Sequence, residues 1–204
     1  MTAGVVGKTA GVGQDIIDFL NVVAKHFQVT ISVTSGYRDS NAQARAMFDN
    51  WLKLARGNVY KKSTLPEKDR KSLDDFFNTA HDAKQADTAR AAAKKNFLEL
   101  AAKTVGNRSA HSKRRAVDVA RSSLSHPAHA AILWKMKEVR EGNRNDVCHF
   151  ESLHVIPRVT DSDLTAYQKR RQATPGSTLH HTQHAPKPQQ HVHLHATGDY
   201  VCVC

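Results

Sequence analysis

The stretch AVDVA at 116 to 120 sets a carboxylate between two valines in a run whose residue types favour a strand. Side chains alternate along a strand, so Val117 and Val119 share one face and Asp118 takes the other. A buried carboxylate needs a partner, whereas the same Asp on an edge strand simply meets water. If this strand is interior, the fold must bring a donor, a cation or a metal to Asp118. Just before it, SAHSKRR carries His111 and three consecutive basic residues, which read either as a solvated basic turn or as part of a metal site completed elsewhere.

The rest of the chain supplies the setting. Ile16, Phe19, Leu20, Val23 and Phe27 recur at helical spacing after a Gly-rich start. QVTISVTSGYR reads as a β-branched strand that ends at a Gly turn. SNAQARAMFDNWLKLARG follows as a helix, with Ser40 as N-cap and Gly57 as its close. Residues 66 to 105 read as two Ala- and Lys-rich helices with a break near Ala83 to Ala86. After AVDVA, HPAHAAILWKMKEVREG is expected to be one helix and VCHFESLHVIP a final strand pair. Helices of uneven length between strands predict an α+β fold, a small mainly antiparallel sheet with flanking helices. Residues 1 to 160 form the expected domain, with a helical insertion over about 58 to 105, and SDLTAYQKRRQ reads as a short helix beyond it. The segment 161 to 204 is polar, Pro-containing and His-rich, and is expected to be a disordered tail.

Charge and cysteine content narrow the function. Thirty Lys and Arg against nineteen Asp and Glu give a net charge of +11, which favours polyanionic partners such as nucleic acid, an anionic membrane surface or an anionic cell wall. Two Trp, four Tyr and seven Phe offer few platforms for stacking bases, which tilts against nucleic acid. Three cysteines, Cys148, Cys202 and Cys204, cannot form a disulfide framework. No apolar run is long enough to span a membrane, and the N-terminus lacks the arrangement of a secretory signal peptide.

Three short stretches carry the chemistry: SGYR at 35 to 38, SAHSKRRAVD at 109 to 118 and ESLH at 151 to 154. A catalytic zinc takes three protein ligands and keeps a position open, and His111, Asp118 and His154 would supply them. Glu151 is the expected base and acid. On an extended strand Glu151 and His154 face opposite sides, so the site demands a turn or bulge at Ser152 and Leu153. His149, five residues before His154, could replace it as ligand, but is read as a pocket residue without a carboxylate in a matching place. His126 and His129 read as surface or packing residues, and His81 has no companion. Taken singly, each of these residues is as readily an ordinary surface or packing residue. Their joint order is what points to a site.

That order, SGYR, then Ser-x-His-x6-Asp with Ala two before the Asp, then Glu-x-x-His, resembles the zinc D-Ala-D-Ala carboxypeptidases and dipeptidases. This group shares its fold with Hedgehog signalling domains and lysostaphin-type peptidases. The resemblance covers roughly residues 28 to 156, with a longer helical stretch than compact members have. It implies one zinc held by His111, Asp118 and His154, with Glu151 as base. Arg38 would hold substrate and steady charge on the scissile carbonyl, and Ser109 would line the substrate pocket. Two departures stand out. Arg114 occupies the place of a Gly in the family pattern, where a positive φ would strain it, and Ser152 and Leu153 stand where an aromatic often precedes the last His.

The function so implied is zinc-dependent hydrolysis of amide bonds in bacterial peptidoglycan stem peptides, of carboxypeptidase or endopeptidase type. Such an enzyme without an export signal would reach the periplasm or cell wall by phage-type release, as an endolysin, or by injection as an antibacterial effector, with an immunity protein or secretion machinery as partners. Stem-peptide recycling in the cytoplasm is a third setting. The rival readings are a basic nucleic-acid-binding protein using SKRR and YQKRRQ, and a zinc-stabilised binding module without catalysis. The tail holds six of the thirteen histidines and ends in CVC, a composition suited to loose metal capture.

Overall fold

The computed structural model describes residues 3–53, 65–140, 147–152 and 156–173. Its strands are β1 (Gly4–Gly7), β2 (Thr30–Ser35), β3 (Ala116–Ala120), β4 (Met136–Arg140) and β5 (Val147–Ser152). The helices are α1 (Gln14–His26), α2 (Ser40–Lys53), α3 (Glu67–His81), α4 (Asp87–Ala101), α5 (His126–Lys135) and α6 (Asp161–Ala173). One sheet runs in the order β1-β2-β3-β5-β4. The β1–β2 pairing is parallel and the other three are antiparallel, so the protein is α+β with a mixed sheet.

The sheet's core face follows from alternation. Ile31 and Val33 of β2, Val117 and Val119 of β3, and Cys148 and Phe150 of β5 pack with Ile16, Leu20 and Val23 of α1 and with Ala128, Ala131 and Ile132 of α5. Leu164 of α6 is fully buried in the same core. The packed unit therefore runs past residue 160 to include α6, which sequence had placed in the tail. Phe150 sits at the centre with no exposure, and Phe150→Ala is expected to cost about 3–5 kcal/mol, read as a lowered urea midpoint.

A second core lies in the helical layer. Met47, Phe48 and Trp51 of α2 meet Leu73 and Phe77 of α3 and Phe97 of α4, with edge-to-face ring pairs such as Phe48–Phe97 at 5.1 Å. A π turn over Ala102–Gly106 continues α4 and packs on α2. α3 and α4 belong to the stretch read as an insertion, and α2 precedes it.

Three local expectations change. The N-cap of α2 is Asp39 rather than Ser40, because Asp39 Oδ1 accepts the Ala42 N–H at 2.7 Å. The helix expected over 126 to 142 stops at Lys135. MKEVR forms β4 instead, pairing Met136 with Ser152 and Arg140 with Cys148, so sheet edge pairing overrides the helical propensity of the run. Among the described residues the expected final strand pair shows one strand, β5, and its antiparallel neighbour is that unforeseen β4. The Gly-rich start also contributes β1, an edge strand not foreseen.

Candidate metal centre

β3 and β5 are in register with Asp118 opposite His149. That single pairing decides which histidine meets the carboxylate, since both side chains leave the sheet on the face opposite the core. β2 adds a bulge: Val33 pairs with Val119 and Ser35 with Asp118, so one extra residue lies between them. The bulge brings the Ser35–Arg38 segment over Asp118. His111 arrives from the turns before β3, and all three side chains of the His111, Asp118 and His149 group are buried.

Their polar atoms converge. His149 Nδ1 is 2.8 Å from Asp118 Oδ1, His111 Nε2 is 3.2 Å from His149 Nδ1, and His111 Nε2 is 3.5 Å from Asp118 Oδ1. The outward nitrogens fix the tautomers. His111 Nδ1 lies 2.7 Å from the Gly36 carbonyl, which can only accept, so this nitrogen carries the proton and Nε2 is bare. His149 Nε2 lies 3.1 Å from Glu151 Oε1 and donates to that carboxylate, leaving Nδ1 bare. Two lone pairs and a carboxylate oxygen then face one another in a buried space. Such an arrangement is repulsive unless a cation sits between them or one of the rings takes up a second proton.

The dimensions suit a small tetrahedral ion. Ligand distances of about 2.0–2.1 Å imply edges of roughly 3.3–3.4 Å, and the three observed edges span 2.8 to 3.5 Å. Two imidazoles and one carboxylate are also a donor set that zinc accepts in sites with an open position. The buried His-Asp-His group can therefore hold a metal ion.

Charge around the group is matched. With no ion between them the two rings can instead be protonated toward Asp118: burial, the largest influence, would raise its pKa, but hydrogen bonds from the charged His111 and His149 outweigh it and hold the carboxyl well below the usual range. The hydrogen bond from His149 does the same for Glu151, against a smaller opposing effect of burial. Arg38 reaches Asp118 from the far side, its Nη2 donating to Oδ2 at 2.9 Å. It also donates from Nε to Ser35 Oγ at 2.9 Å and from Nη1 to Gln43 Oε1 at 3.3 Å. Among the described residues three of its five N–H groups are used and two remain.

The residues expected from sequence divide as follows. His111, Asp118 and Arg38 meet at one point. His154 lies outside the described residues, as does Leu153, and the position beside Asp118 belongs to His149. Ser152, where a turn was required, is regular strand paired with Met136. Glu151 joins the group on the outer side of His149 rather than among the converging atoms. Ser109 is buried, and its hydroxyl accepts the His111 backbone N–H at 3.2 Å, so it props the ligand's turn. Arg114 has φ +60°, a left-handed conformation that a Gly at this place would adopt without strain. Its guanidinium lies 5.3 Å from the centre of the Tyr37 ring, a cation–π contact of about 0.5–1 kcal/mol against a strain of roughly 1–2 kcal/mol.

Compared with protein-family models, with curated proteins and with solved structures, the chain matches none of them. The motif resemblance and this geometry are what bear on function.

Sequence reasoning passed over three features. His149 was set aside for want of a carboxylate, yet Asp146 stands three positions before it, the same acidic-x-x-His spacing as Glu151 and His154. Asp146 lies outside the described residues. Gln43 is fully buried, and its Nε2 has no hydrogen-bond partner among the described residues while its Oε1 holds Arg38. Gly36 supplies the carbonyl that orients His111, and a Cβ there would collide with the Lys8 carbonyl and Val12. The signal for Gln43 was its spacing, five residues after Arg38 on the first turn of a helix.

Proposed function

We propose that this protein is a zinc-dependent peptidase that hydrolyses amide bonds of bacterial peptidoglycan stem peptides, with a Hedgehog/DD-peptidase-like architecture. The observation that carries this reading is the buried convergence of His111 Nε2, Asp118 Oδ1 and His149 Nδ1. It coincides with the part of the sequence that resembles the zinc D-Ala-D-Ala peptidases, with His149 taking the place first given to His154.

Zinc held there would polarise a scissile carbonyl and make water a nucleophile at neutral pH. Asp146, by its spacing from His149, takes the proton from the attacking water and returns it to the departing amine. Glu151 holds His149 by its Nε2. Arg38 offers its two remaining N–H groups to a substrate oxygen, and Gln43 Nε2 adds a donor beside it. This set of donors suits the carboxylate or carbonyl of a D-amino acid at the end of a stem peptide. Lys113, Arg114 and Arg115 are exposed beside the centre and suit an anionic wall polymer, as does the net charge of +11. The place of action on this reading is the periplasm or the cell wall.

The test is digestion of purified peptidoglycan and of synthetic stem peptides ending in D-Ala-D-Ala by the zinc-loaded protein, with products read by mass spectrometry. Release of D-alanine or opening of cross-links is expected, and both should vanish in Asp118→Asn. Intact substrates after incubation with folded, zinc-loaded protein would sink the proposal.

A further inference from the structure

Cys148 and His149 are consecutive in β5, so alternation turns them to opposite faces of the sheet. His149 joins the centre described above, and Cys148, 5% exposed, lies on the core face beside Phe150. Two further side chains meet it there. Glu138 of β4 pairs with Phe150 and therefore shares the face of Cys148 as a diagonal neighbour. His129 of α5, 3% exposed, packs edge-to-face on Phe150 with ring centres 5.8 Å apart.

His129 Nε2 is 3.0 Å from Glu138 Oε2 and 3.9 Å from Cys148 Sγ. One ligand atom from each of the three residues lies within 4.8 Å of the others. A thiol activated by a relay needs the thiol on one ring nitrogen and the orienting carboxylate on the other. Here both address Nε2, so the arrangement is convergent rather than a relay. A single N–H can point at the carboxylate or the sulfur but not squarely at both. Imidazole, carboxylate and thiolate aimed at one point are a donor set for a borderline-soft divalent ion. With metal distances of about 2.0–2.1 Å for N and O and about 2.3 Å for S, the edges should be roughly 3.3 Å for N to O and 3.6 Å for N to S. The observed 3.0 and 3.9 Å need only small adjustments.

We propose that His129, Glu138 and Cys148 form a second divalent-metal site, for zinc or an ion of similar softness, on the face of the sheet opposite the first. It joins α5 to β4 and β5, which makes its role structural. The solvent side is Glu138, 12% exposed on the edge strand, where an ion can enter.

Cobalt(II) distinguishes this site in the full chain, because a bound thiolate gives a near-ultraviolet charge-transfer band that histidines and carboxylates do not. The chain has three cysteines, so Cys202→Ser with Cys204→Ser leaves Cys148 as the sole thiol. In that background one equivalent of band is expected, persisting in Asp118→Asn and disappearing in Cys148→Ser. Glu138→Gln, which keeps the thiol and the shape, should weaken cobalt affinity at least tenfold by titration of the band. No band in the folded double variant, or a band that survives Cys148→Ser, overturns the proposal. If Cys148→Ser does not fold, Glu138→Gln decides, and an unchanged titration there overturns it equally.

Discussion

His149→Ala is expected to strip the first centre of zinc, while His154→Ala leaves it loaded. The measurement is metal content by mass spectrometry on chains ended after Ala173, which retain α6 and its buried Leu164 and omit the six histidines between 180 and 195. In the parent chain the first centre is expected to contribute about one zinc, and the Cys148→Ser background removes any second contribution. Losing an outer partner of a ligand typically costs 10–100-fold in affinity, and losing one of three direct ligands should cost more, so about micromolar chelator suffices to empty His149→Ala. The strand pairing of Asp118 with His149 makes this prediction, because register fixes both side chains on one face of the sheet. The reverse result, zinc kept in His149→Ala and lost in His154→Ala, would return the third ligand to His154 and Glu151 to the role of base.

The second large effect separates the two acids. Asp146→Asn is expected to keep zinc and lose about 10²–10⁴-fold in turnover of a stem peptide, the range of general acid–base catalysis. Glu151→Gln should behave differently. It removes the charge that accepts from His149 Nε2, so zinc affinity should fall about 10–100-fold and turnover should largely return at saturating zinc. Kinetics at several zinc concentrations read the two cases apart. Full activity in Asp146→Asn, or a zinc-insensitive collapse in Glu151→Gln, would exchange the two roles.

Much of the framework could be read from single segments. The apolar spacing of Ile16, Phe19, Leu20 and Val23 gave α1, and β-branched runs gave β2 and β3. His111, Asp118 and Arg38 were found by order and spacing, and they do meet. What failed depended on partners distant in the chain. β4 looks like the end of a helix until β5 pairs with it, and the propensity of MKEVR carries no trace of that pairing. The third ligand is open to the same ambiguity. VCHFESLH offers two acidic-x-x-His readings only when Asp146 before it is counted, and local spacing cannot rank them. The choice lies in the β3–β5 register, which is set by which residues fill the core with Phe150. Arg114 is a different case, since the motif left open whether its turn keeps the positive φ of a Gly or is built another way, and the residue does adopt φ +60°.

The two cores have a consequence for which parts of the protein can move independently. The aromatic cluster of α2, α3 and α4 shares no buried residue with the sheet core, so the two can loosen at different free energies. Gln43 rides on α2, while His111, Asp118 and His149 are seated on the sheet and the turns leading into it. Breathing of the helical half would therefore move Gln43 and its hold on Arg38 while sparing the three side chains that could seat an ion.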